Sequence, residues 1–170
     1  MEWKLSNRAD KVAAALADRH YNRQKVGARQ FVPPGRCVVL LAVNNNALWV
    51  SSWPFAEYTK HRWAGAWVCT CFRNESAALS SELITQAVAA TCSVWGSPPS
   101  LGMVTFVDTT KVRRKRDWGR CYRRAGWSHV GYTQGGLVVL QLLPQEMPVP
   151  VPALGTQLPL FASVNERSCS

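Results

Sequence analysis

This chain is constrained above all by a crossover embedded in a run of strands. Cys37–Val43 (CVVLLAV), Ala47–Ser52 (ALWVSS) and Trp63–Phe72 (WAGAWVCTCF) are apolar, β-rich segments, and a helical stretch, Ser80–Trp95, separates them from a fourth, Leu101–Asp108 (LGMVTFVD). Asn44-Asn45-Asn46 accepts left-handed backbone, so the first two segments are expected to form a hairpin. Leu83, Ile84, Ala87, Val88 and Thr91 keep helical spacing. A helix inserted between two strands returns the chain parallel to the strand it left. The expected fold is therefore α/β with a central mixed sheet flanked by helices.

The remaining elements extend this frame. Ser6 or Asn7 is expected to cap a helix running to about Tyr21, with Val12, Leu16 and His20 stacked at intervals of four. Gln24–Arg36 reads as irregular and closes at Pro33-Pro34-Gly35. Trp53–Arg62 is a loop dense in aromatic residues. A helix from about Asp117 to Ala125 ends at Gly126, a C′ glycine, and strands follow at His129–Thr133 and Leu137–Leu143. The order is α, β, β, β, α, β, α, β, β without internal repeat. One domain is expected over residues 1–143, with a Pro-rich extended tail over 144–170 that packs on the sheet around Leu158–Phe161.

With 170 residues, 47% of them hydrophobic, the chain suits a single core. It contains no apolar run of membrane-span length and no signal-peptide pattern at its start, so a soluble, cytoplasmic protein with no membrane partner is expected. The six cysteines form no C-x-x-C pair, which weakens zinc-finger and disulfide-framework assignments. Cys69 and Cys71, two apart on a strand, are expected on one face as small core hydrophobes, with a soft-metal site the rival use.

The net charge of +10 is unevenly spread: Lys111–Arg124 carries +7 and Met1–Arg36 carries +5, leaving the rest slightly negative. Basic charge confined to two segments suggests a polyanion, with a solvated helix face as the alternative.

In a sheet of this kind ligands sit beyond the carboxyl ends of the parallel strands. Arg73 and Asp108 end two such strands and should face one crevice. Arg73 suits a phosphate clamp or an ion pair with Glu75 or Glu82. Asp108 suits a base, a metal ligand or a turn cap. Asn74, Ser80 and Ser81 open the long helix, where free N–H groups and hydroxyls could hold an anion without glycine, or where Ser80 is simply the cap. The loop WPFAEYTKHRW alternates aromatics with cations, as in platforms that stack bases, although such aromatics equally pack loops.

The element order and RDWGRCYRRAGWSHVGY, whose Tyr122–Trp127 matches a Y-x-x-x-G-F/W segment, resemble the GNAT acetyltransferase superfamily over roughly Ser6–Leu143. That superfamily follows its fourth strand with Q/R-x-x-G-x-G/A, which binds the coenzyme pyrophosphate at a helix N-terminus; here the sequence is FRNESAALSSELI. With this departure, the combination of ADRHY, FRNE with SSELI, GMVTFVD and GRCYRRAGW resembles the Mom family of bacteriophage DNA-modification proteins. In that family adenine in DNA becomes an acetamido (carbamoylmethyl) derivative that evades host restriction.

The resemblance implies a transferase using acetyl-CoA on double-stranded DNA in a host bacterial cytoplasm, with a homodimer among the expected partners. It implies His20, Tyr21, Arg73, Ser81 and Asp108 as catalytic residues, and Arg73, Asn74, Ser80, Ser81 and Tyr122 as coenzyme-binding. His20, Tyr21 and Asp108 would supply the ligands of an iron ion. Trp53 and Tyr58 would stack a flipped base, while Lys111, Arg113, Arg114, Lys115, Arg116 and Arg120 would contact DNA phosphates. The alternatives are an ordinary GNAT N-acetyltransferase acting on a small amine or protein, and a non-catalytic nucleic-acid-binding relative.

Overall fold

The computed structural model describes residues 1–112 and 117–156. Seven strands form one mixed sheet: β1 (Trp3–Ser6), β2 (Arg36–Ala42), β3 (Ala47–Trp53), β4 (Trp67–Asn74), β5 (Met103–Val107), β6 (Ser128–Tyr132) and β7 (Val138–Leu142). Their order across the sheet is β1-β2-β3-β4-β5-β7-β6. The pair β4/β5 is parallel and every other pair is antiparallel. The helices are α1 (Lys11–Asp18), α2 (Ser80–Trp95) and α3 (Arg120–Arg124).

The crossover through α2 has the bounds that its periodicity predicts, and Asn45 turns the β2/β3 hairpin at φ 58°. Gly126 closes α3 at φ 89°, as expected of a C′ glycine. The start of the chain differs from expectation. Trp3–Ser6 is an edge strand, with the buried Trp3 indole donating to the Leu83 carbonyl at 2.9 Å. α1 therefore begins later, capped by Asp10, which accepts the Val12 and Ala13 amides; Ser6 donates its hydroxyl to the Asp10 carboxylate instead of capping. The helix stops at Asp18, so His20 lies past its end and Val12 is exposed.

Side chains alternate across the sheet and build separate cores. Trp3, Trp49, Trp67, Ile84, Val88 and Leu140 belong to the largest, beneath α2 and α3. On the α1 face the apolar layer is split. Leu16, Val39, Leu48, Val50 and Cys71 form one cluster under α1, and Trp63, Val68, Val104 and Val139 form another. Cys69 and Cys71 fall on opposite faces, contrary to simple alternation. Val50 pairs with Cys71 while its neighbour Ser51 pairs with Cys69, so Thr70 is a bulged extra residue that inverts the pattern.

The segment after β7 opens with a 3-10 turn at Pro144–Glu146 and then joins the domain. Leu154 exchanges main-chain hydrogen bonds with Trp3 and Leu5 on the outer edge of β1, which covers an exposed strand edge. Leu158–Phe161 lies outside the described residues. Among the described residues no helix is long and apolar enough to cross a membrane.

Candidate functional site

The parallel pair holds register only from Trp67/Met103 to Cys69/Thr105. Beyond that point β4 runs on to Asn74 against β3, and β5 to Val107 against β7, without pairing with each other. The Thr70 bulge turns β4 aside there, and the Thr105 hydroxyl donates to the Cys69 carbonyl at 3.1 Å as the last link between the strands. The sheet opens at the carboxyl ends of the two parallel strands, as expected of an α/β binding crevice.

On the α1 face this opening continues into a cleft of about 910 Å³ between the two apolar clusters. His20, Tyr21, Arg23, Thr70, Phe106 and Asp108 are among its lining residues. His20 and Tyr21 stack with ring centroids 4.5 Å apart. Desolvation, then the positive charge of Arg73, holds the imidazole down at about 4. The Asn22 amide donates to its Nδ1 at 3.2 Å, so the neutral ring carries its proton on Nε2. Burial pushes the Tyr21 phenol up to about 12, and the carboxylate of Asp108 adds to this. Asp108 itself is held below the usual carboxylate range, chiefly by the Thr110 hydroxyl at 2.6 Å. Its second oxygen faces Lys111 at 3.5 Å.

The three residues expected as iron ligands, His20, Tyr21 and Asp108, all line this cleft, with His20 Nδ1 accepting the Asn22 amide and one Asp108 oxygen bonded within its own turn. Among the described residues no three His, Cys, Asp or Glu side chains converge as a metal-binding group.

The turn after β4 holds itself together. Asn74 Oδ1 accepts the Ser76 amide and hydroxyl, and its Nδ2 donates to the Ala78 carbonyl and the Ser80 hydroxyl. Asn74 thus organises the turn. Ser80 is the first residue of α2, not its cap: Leu79 occupies the cap position and no side chain caps the first turn. The open helix start borders a second pocket, of about 230 Å³, lined by Leu79, Ser80, Ser81, Asp117, Arg120, Cys121 and Arg124. Free N–H groups at a helix start beside guanidinium groups favour an anion. This pocket lies between α2 and α3, on the face of the sheet opposite the His20 cleft.

Arg73 does not line either pocket. Its Nε donates to Glu75 at 2.8 Å and its Nη1 to the Arg19 carbonyl at 2.6 Å. Glu75 also takes a forked contact from Arg19, at 2.7 and 2.8 Å, which holds its carboxyl down at about 2. The ion pair with Glu75 is formed, and with the Arg19 carbonyl contact it pins the residue that leads from α1 to His20. Tyr122, on α3, is buried against the sheet, its hydroxyl 3.5 Å from the Cys69 sulfur at the point where the strands part.

Trp53 is not a free stacking surface. Its ring packs on Trp67 and Trp95, and Arg36 covers it at 4.4 Å. Tyr58 is 78% exposed. Lys111 stands at the cleft rim, and Arg120 pairs with Asp117 at 3.1 Å. Arg113, Arg114, Lys115 and Arg116 lie outside the described residues.

Sequence reasoning missed Arg23. Its guanidinium donates to Asp18 at 2.6 Å, to the Gln30 carbonyl at 2.7 Å and to the Ala28 carbonyl at 2.5 Å. With Asp18 also accepting the Gly27 amide, it folds residues 24–34 into one wall of the cleft. Main-chain carbonyls leave no trace in a sequence, and the one signal there was an arginine five residues after an aspartate.

The fold and site define a mixed α+β domain with a split sheet and two chemically different pockets, one on each face. Comparison of the chain with known protein families, with curated proteins and with solved structures returns no match in any of the three.

Proposed function

We propose that the chain is a DNA-modifying transferase on an acetyltransferase-type fold, similar to the Mom family, that acts on adenine in DNA with acetyl-CoA as the source of two carbons. Linking them through the methyl carbon replaces a C–H by a C–N bond, so a two-electron oxidant and an amine donor for the carboxamide are further co-substrates of this reading. The observation that carries this is the pair of pockets at the carboxyl ends of β4 and β5: an open helix start with Arg120 and Arg124 on one face, and His20, Tyr21 and Asp108 on the other. The element order and the parting of a single parallel pair support an acetyltransferase-type fold.

Acetyl-CoA would supply the two-carbon unit from the anion-favouring pocket. In the cleft, neutral His20 offers an Nε2–H and Tyr21 an O–H, while Asp108 offers a carboxylate oxygen. Donors beside an acceptor complement an amidine edge, in which an exocyclic amine adjoins a ring nitrogen acceptor. Adenine and cytosine both carry that edge, and the family resemblance selects adenine. Such a base reaches the cleft only when extruded from the duplex. Neither His20 nor Asp108 is poised as a strong base at neutral pH, so both orient the amine in this mechanism.

The test is nucleoside mass spectrometry of plasmid DNA from cells expressing the chain beside an Asp108→Ala control. A deoxyadenosine heavier by an acetamido group, absent in the control, is expected. Unmodified DNA with acetylated amine products instead would make the chain an ordinary N-acetyltransferase.

A further inference from the structure

The loop between β3 and β4 leaves on a half-buried tryptophan and returns on a buried one. Trp53 packs against Trp67 and Trp95, and Trp63 is 4% exposed within the cluster that flanks the cleft. Between these anchors stand Phe55, 63% exposed, and Tyr58. Their rings meet edge to face at 6.3 Å. The 3-10 turn that carries them is hydrogen-bonded within itself: the Phe55 carbonyl accepts both the Tyr58 amide and the Thr59 hydroxyl at 3.1 Å, and Thr59 also donates its amide to the Ala56 carbonyl. Two large aromatics fixed in water beside two anchored in the core are not explained by packing.

The loop also has a position and a charge. His61 packs on Phe106 at 5.0 Å, and Phe106 lines the cleft, so the loop abuts the outer side of the cleft wall that Phe106 contributes. Lys60 and Arg62 follow the aromatic pair and are exposed, against Glu57 alone. We infer that Phe55 and Tyr58 are a stacking wedge for unpaired bases, with Lys60 and Arg62 holding the flanking phosphates, so that nucleic acid is gripped where a base would leave the stack to enter the cleft. This rests on the reading of the cleft as a site for an extruded base and names the surface that would deliver it. Aromatic stacking is tolerant of sequence, so the wedge contributes affinity for opened strands and little discrimination among them.

The experiment measures binding of the full chain to a fluorescein-labelled single-stranded oligonucleotide and to its duplex at several salt concentrations. It compares the unaltered chain with Phe55→Ala/Tyr58→Ala and with Tyr58→Phe. The double alanine variant is expected to lose roughly ten-fold or more in single-strand affinity. Its salt dependence should be unchanged because no charge is removed, and Tyr58→Phe should bind like the unaltered chain. Both side chains are exposed, so the fold is unaffected. Equal affinity in the double variant, or a loss confined to the salt-dependent component, would overturn the wedge and leave the DNA reading standing. Failure of the unaltered chain to bind either oligonucleotide would overturn both.

Discussion

Replacing Arg23 with alanine tests whether the cleft wall depends on one side chain. The guanidinium is largely buried and serves two main-chain carbonyls, those of Ala28 and Gln30, besides Asp18. Each such hydrogen bond contributes about 1 kcal/mol net, so losing the two carbonyl contacts costs about 2 kcal/mol, or roughly 30-fold in the local opening constant. Losing the Asp18 pair acts in the same direction. Because residues 24–34 form a loop, the effect should concentrate there and leave the sheet intact. Hydrogen exchange resolved by segment is the assay: protection over residues 22–32 should fall by at least an order of magnitude while β2 and β3 keep theirs. The side chain of Arg23, first, and the Gly27 amide hold Asp18 below the usual carboxylate range. A depressed carboxyl contributes stability above the ordinary aspartate value and loses it as pH falls through its folded value. Acid should therefore loosen this wall in the unaltered chain and have little further effect in Arg23→Ala. Unchanged protection of the loop in the variant would refute the assignment of Arg23 as its brace.

Three further outcomes follow from the geometry. Gly102 sits at φ +63°, and a Cβ there would lie 2.0 Å from the Leu142 carbonyl oxygen; Gly102→Ala should lower Tm by about 5–10 °C in calorimetry, and a shift within about 1 °C would refute the clash. His20 is held at about 4 against an ordinary 6.5, so the unfolded chain takes up a proton that the folded one refuses between those values. The contribution is full above about 6.5 and is lost as pH falls toward 4; the Tm difference between the unaltered chain and His20→Gln should shrink with falling pH in that window, and a flat difference would remove the desolvated imidazole. Arg120→Ala/Arg124→Ala should weaken coenzyme A binding, measured by titration calorimetry, roughly ten-fold or more; equal affinity would move the anion site away from the start of α2.

Much of the frame is legible in the order of residues alone. Helical spacing sets α2, the asparagine turn sets the hairpin, and a helix between two strands sets a parallel pair, because these are local or near-local consequences of periodicity and chain reach. The first strand is hidden because four residues with one buried tryptophan carry too little alternation to distinguish a strand from a helix approach. Carboxylate and imidazole positions are half legible: Asp108 ends its strand as expected, but His20 lies past a helix that stops short.

The linear chain thus carries the order of elements, the residue types at the ends of β4 and β5, and the segregation of basic charge. It took the assembled sheet and helices to make Thr70 a bulge that places Cys69 and Cys71 on opposite faces, to turn Arg73 toward Glu75 and the Arg19 carbonyl, and to pack Trp53 among Trp67, Trp95 and Arg36 while Phe55 and Tyr58 stand in water. Each of these depends on a partner from a distant segment. Alternation and propensity constrain a residue against its near neighbours, whereas a bulge register, an ion pair or a ring stack is chosen by what another element brings to the same place.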